Sequence, residues 1–131
     1  MNSARNFSLL VAAFVIILIM GILHFVAGAF YFYWTLGWFD YLMHFLGGLG
    51  GGLVVAWFVS DRNLSTTQTV VIVFCSVMLV GVVWEIFEKV NDIAQSTEGY
   101  ALDTTHDLLM DALGSLVAGF FGANKLQNNG N

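Results

Sequence analysis

Four long apolar runs, separated by three polar or aromatic breaks, organise the chain. They cover about 8–31, 40–60, 69–88 and 104–122, each close to the ~20 residues a helix needs to cross the hydrocarbon core. None alternates with a period of two, so they read as helices rather than barrel strands. The first break, TLGWF, is short and aromatic, and the second, DRNLSTT, is short and polar. The third, KVNDIAQSTEGYALD, is longer and acidic, and the polar tail 124–131 is expected to be flexible. The pattern predicts an all-α fold: a single transmembrane domain over 1–131, built as an integral membrane four-transmembrane-helix bundle.

Composition excludes an ordinary soluble domain, since 58% of residues are hydrophobic, 10% are charged and proline is absent. Arg5, the apolar run from Leu9 and the triplet Ala27-Gly28-Ala29 together resemble a signal peptide. The apolar character continues past the triplet through AFYFYW, so the segment is read as a span. The lone Cys75 offers neither a disulfide nor a zinc-knuckle spacing and is expected to be a small buried residue.

The basic residues set the direction. Arg5, Arg62 and Lys125 fall on one side of four spans and Lys89 on the other, which predicts an N-in/C-in topology. The outer side and outer ends then hold Asp40, Glu85, Glu88, Asp92, Glu98, Asp103, Asp107 and Asp111, whereas the inner side holds only Asp61.

Several of these acids lie within the spans. Asp103, Asp107 and Asp111 recur at i, i+4 and i+8, which stacks them on one helix face. At ~1.5 Å of rise per residue, His44, Glu85 and Asp107 arrive at similar depth from three helices. His24 and Asp111 are level with each other about a turn deeper, so all four helices are expected to help line one polar site.

An acid near the middle of a span costs roughly 2.5–3.5 kcal/mol and almost always faces the bundle interior. Several carboxylates in one place cannot all stay ionised alone, and no lysine or arginine lies at that depth to pair with them. The remaining partners are shared protons or a divalent metal ion: Mg, Ca or Mn if oxygen dominates, Zn or Fe if histidine binds. The metal reading assigns His44, Glu85, Asp107 and Asp111 as ligands, with Asp40 and His24 supporting. Glu88 or Asp103 is then the candidate catalytic base.

Plainer readings stand beside each. Asp103 with Thr104 suits an N-cap, Glu88 suits the solvated headgroup level, and Asp40 suits the helix dipole. His24 suits an interior hydrogen bond. His106 points away from the aspartates and is expected to be exposed.

The run GGLGGG, Gly47 to Gly52, follows the Asp40/His44 pair directly. Gly47/Gly51, Gly48/Gly52 and Ser115/Gly119 all fit the small-xxx-small spacing that lets helices approach closely in lipid. The alternative is a groove or local break that admits a substrate chain.

Three signatures carry a resemblance: Asp40-x-x-x-His44-Phe45 with Gly48, then Glu85-x-x-Glu88, then Asp103-Thr104-x-x-Asp107 with Gly114. Over about Asp40 to Gly119 the chain resembles the YjdF-like family of small bacterial inner-membrane proteins. More distantly it is similar to the VanZ-like family, with its Asp…His helix, acidic third span and Asp…Gly final span. Members of the first family are usually longer, so this chain looks like a minimal core. It departs from them at Asp111, where the resemblance leads one to expect a small residue. The resemblance implies a bacterial plasma (inner) membrane protein, and the VanZ-like link points loosely to the cell envelope and glycopeptide tolerance.

Three functions follow. The first is a membrane-embedded hydrolase-type enzyme in which the metal activates water or polarises a phosphoryl oxygen of a lipid or lipid-linked envelope substrate. The second is a metal- or partner-binding envelope protein without catalysis. The third is a cation or proton transporter working as an oligomer, since the inner halves of the spans offer only Ser60, Gln68, Ser76 and Ser115. Membrane lipids are expected partners, a homo-oligomer through glycine faces is possible, and no nucleic-acid partner is expected.

Overall fold

A computed structural model describes residues 6–92 and 99–128. Arg5 and Glu98, used above for orientation and charge balance, and the last three tail residues lie outside the described residues. Every regular element among the described residues is a helix: α1 (Phe7–Phe30), α2 (Phe32–Thr35), α3 (Phe39–Phe58), α4 (Thr66–Asn91) and α5 (Tyr100–Asn128).

The ends of these helices have local causes. Tyr31 takes a left-handed conformation, φ 58°, and its N–H bonds to the Ala27 carbonyl. That closes α1 and lets a single turn, α2, form inside the aromatic break. Ser65 and Gln68 form a reciprocal capping box that starts α4 at Thr66, before the apolar run begins. At the other end Asp92, φ 56°, terminates α4. Helix α5 starts at Tyr100, so Asp103 lies inside its first turn and is not its N-cap. It also continues to Asn128, through much of the tail expected to be flexible. Leu126 packs against the core, and Gln127 Nε2 donates to Thr66 Oγ1 at 2.6 Å, which holds that last turn in place.

Helices α1, α3 and α4 are long and apolar enough to cross a membrane. Large apolar side chains cover their outer faces: Phe14 and Phe25 on α1, Leu79, Val83 and Val90 on α4. Helix α5 turns its aspartates inward and exposes Leu109, Leu113, Val117 and Phe120. Cys75 also faces outward, contrary to expectation, because α4 directs only Thr69, Val73, Val77, Gly81 and Glu85 into the bundle.

The main packing is α3 on α5, with α4 laid against α5 and, less extensively, α3. Helix α1 leans on α3 from the far side. A core of Leu9, Ala13, Leu53, Ala56, Val73 and Ala118 fills one end, and Ala27, Phe39 and Met43 fill the other.

Glycine sets the α3–α5 separation. A β-carbon at Gly48 would overlap the Asp111 backbone, and one at Gly114 would overlap the backbone of Phe45 and Leu49. Gly52 is pressed against Ala118, Val73 and Ser115. The Gly48/Gly52 spacing therefore serves close packing. Gly47 meets only the tip of Met20 in ordinary contact and Gly51 meets nothing, so that pair does not serve it within the chain.

Candidate metal centre

The α3–α5 crossing brings four sequence-singled side chains to one place. His44 lies a turn above Gly48, and its Nε2 is 3.9 Å from both Glu85 Oε1 on α4 and Asp107 Oδ1 on α5. Its Nδ1 is 3.4 Å from Asp111 Oδ1. All four residues are buried, Asp107 most completely at 1% exposure. Gly81 makes the Asp111 position available, because a β-carbon there would fall on Asp111 Oδ2.

The two sides of the imidazole differ. A separation of 3.9 Å is within Coulomb range but too long for a hydrogen bond. Glu85 Oε1 and Asp107 Oδ1 are accordingly buried without a hydrogen-bond partner among the described residues. The other Glu85 oxygen, Oε2, accepts from Thr104 Oγ1 at 2.9 Å, which fixes the carboxylate's orientation. The gap facing Nε2 is shorter than two metal–ligand bonds of ~2.0–2.2 Å laid end to end, so these groups flank a volume suited to an ion.

Around His44 the acids fall into two groups whose ligand atoms lie within 4.8 Å of one another: Asp40–His44–Asp107, and His44–Glu85–Glu88. Asp40 and Glu88, half-buried, form the more exposed rim of the cluster. Asp103 is buried at the N-terminal end of the aspartate stripe, close enough for its charge to be felt by Asp40, Glu85 and Asp107. Lys89, the nearest lysine in sequence, places its Nζ 4.1 Å above the Tyr100 ring.

His24 does not join this centre. It is exposed on α1, and its Nδ1 is 2.8 Å from the Tyr33 hydroxyl. Equal depth in the membrane does not make two residues neighbours, and α1 packs on the face of α3 turned away from the cluster. The centre is thus built by α3, α4 and α5 rather than by every helix. His106 is half-buried rather than exposed, with Nδ1 3.1 Å from the Tyr41 hydroxyl. Tyr33, in α2, sits near Asp40 and Glu88; burial, reinforced by their charges, pushes its hydroxyl up to about 12.

Sequence reasoning passed over Thr104 as a partner of Glu85, treating it as part of a cap. The signal was available: Thr104 and Asp111 are seven residues apart and therefore share a helix face. Tyr41 and Tyr100 carried no comparable signal.

A family model of predicted membrane proteins, DUF2238, matches residues 1–128. The chain belongs to that family. The match takes in all three helices of the centre as well as α1. No curated protein and no solved structure matches the chain. Membership of DUF2238 supports a membrane protein, and what the centre does must be argued from its own geometry.

Proposed function

We propose that this DUF2238 member is a metal-binding enzyme of hydrolase type, embedded in a bacterial plasma membrane and acting on a lipid or lipid-linked envelope substrate. The observation that carries the metal is the pair of unpartnered oxygens, Glu85 Oε1 and Asp107 Oδ1, buried on either side of His44 Nε2. An ionised carboxylate left unpaired in such a place is costly, and divalent metal beside these oxygens relieves the charge and the missing contacts. His44, Glu85 and Asp107 hold metal in this reading. Asp111, a ligand in the reading from sequence, instead takes the imidazole's other nitrogen. A bound ion would supply an activated water or a polarised phosphoryl oxygen. Glu88, on the half-buried rim, and Asp103 remain the candidate bases.

Several further elements belong to this reading. Helix α5 is a fourth span, supported by the apolar face it turns outward. Arg62 and Lys125 mark the inner side, giving N-in and C-in ends with the centre towards the outside. The YjdF-like resemblance supports a bacterial inner membrane and an envelope substrate, and open Gly47 and Gly51 leave a face for lipid or a second copy.

A purely structural role is the second reading, favoured by the way His44, Glu85 and Asp107 tie three helices together. Transport ranks third. Below Asp111 the buried polar side chains among the described residues are Ser60, Thr69 and Ser115, which hydrogen-bond to backbone groups and offer no titrating relay.

Metal content, measured by mass spectrometry on protein purified in mild detergent without chelator, tests the reading beside folded His44→Ala and Asp107→Ala variants. A divalent metal present in the parent and lost in both variants is expected. Well-folded parent protein without metal would mean that the acids share protons, and metal-assisted hydrolysis would be abandoned.

A further inference from the structure

We infer that the centre holds a pair of divalent cations rather than a single one. The inference rests on the metal reading above and goes beyond it, because ligand geometry and charge both exceed what one ion can satisfy.

The geometric reason lies in the two groups that share His44. One joins α3 to α5 through Asp40, His44 and Asp107; the other joins α3 to α4 through His44, Glu85 and Glu88. The residues that carry the two unpartnered oxygens are divided between them, Asp107 in the first and Glu85 in the second. An ion seated in either group leaves the other oxygen buried and orphaned. Glu85 is 4% exposed and Asp107 1%, so water does not readily serve either. One ion in each group gives both oxygens a partner.

Charge favours more than one ion. Asp40, Glu85, Glu88, Asp103, Asp107 and Asp111 share this end of the bundle, while Lys89 lies over the Tyr100 ring. A single divalent ion offsets two carboxylate charges, and a pair offsets four, with protons left to deal with the remainder.

The imidazole decides the character of the pair. Nδ1 faces Asp111, so only Nε2 is free to bind, and it can bind one ion. The second ion is held by carboxylates alone. A centre of one imidazole among carboxylates suits manganese or magnesium better than zinc. Pairs of this kind sit about 3.5–4 Å apart; the two groups share His44 and no carboxylate, so each ion draws on its own two acids.

Manganese titration of chelator-treated protein in mild detergent, followed by electron paramagnetic resonance and by metal analysis, tests the inference. Two manganese ions per chain with a spin-coupled signal are expected at saturation. Glu85→Gln and Asp107→Asn should each reduce the count to one and abolish the coupling. Should either buried variant fail to fold, Glu88→Gln on the rim is expected to do the same. One ion per chain in the parent would overturn the pair while leaving the metal reading standing. Two uncoupled ions, or a count unchanged in the folded variants, would also overturn it. No bound ion in folded protein would remove both readings together.

Discussion

His44 and Asp111 face each other across 3.4 Å, Nδ1 to Oδ1, on the side of the ring turned away from Glu85 and Asp107. A carboxylate in that position holds a histidine's orientation and tautomer and leaves the opposite nitrogen free for a metal. Asp111→Asn is therefore expected to weaken metal affinity by about 10–100-fold while the number of ions bound stays the same. Gly81→Ala, which intrudes on Asp111 Oδ2, should lower affinity in the same direction. Competition with a metal-chelating dye measures both. A loss of stoichiometry in Asp111→Asn would instead make Asp111 a ligand.

The glycines of α3 should separate into two classes. Gly48→Ala places a methyl group against the Asp111 backbone and is expected to cost on the order of 1–3 kcal/mol, as overpacked sites do. Gly51→Ala meets nothing within 4 Å and should leave stability unchanged or slightly raised. Thermal unfolding in detergent compares the two. Equal destabilisation would show that the Gly51 face is covered by a second copy of the chain.

Tyr33 gives a test at high pH. Its hydroxyl is held near 12 against an ordinary value of about 10. A raised value in the folded state means that the contribution to stability is complete below pH ~10 and is lost as pH rises through about 12. Phenolate absorbance, compared with that of Tyr33→Phe, should show the Tyr33 transition late. Asp40→Asn should bring it down only slightly, because burial is the larger cause.

Cys75 reports on the outer face of α4, which it shares with exposed Val71, Leu79 and Val82. In sealed vesicles it is expected to react with an apolar maleimide and to resist a charged one. Equal reaction with both would place this face in water and remove α4 as a span.

The apolar runs made the helices legible, and rise per residue put His44, Glu85 and Asp107 at one depth. Direction around the helix axis was legible only where a helix has two unlike faces. The aspartate stripe of α5 has them, and its inward side was readable. Helix α1 is apolar on every side, so nothing in its sequence showed that His24 points away from the centre. Nor does sequence reveal which imidazole nitrogen meets which acid. That depends on the α3–α5 crossing set by Gly48 and Gly114 and on the notch that Gly81 leaves for Asp111.

Thr104, Asp107 and Asp111 all belong to α5, which follows α3 and α4 in the chain, while His44 and Glu85 lie on those earlier helices. A partly synthesised chain thus inserts Glu85 into lipid before the hydroxyl that steadies it exists. An acid in that position carries a penalty of roughly 2.5–3.5 kcal/mol until the bundle closes. Arrival of α5 gives Glu85 Oε2 the Thr104 hydroxyl and encloses the acid between three helices. The hydroxyl that orients Glu85 is thus supplied from a helix that the chain reaches only after the acid itself has been made.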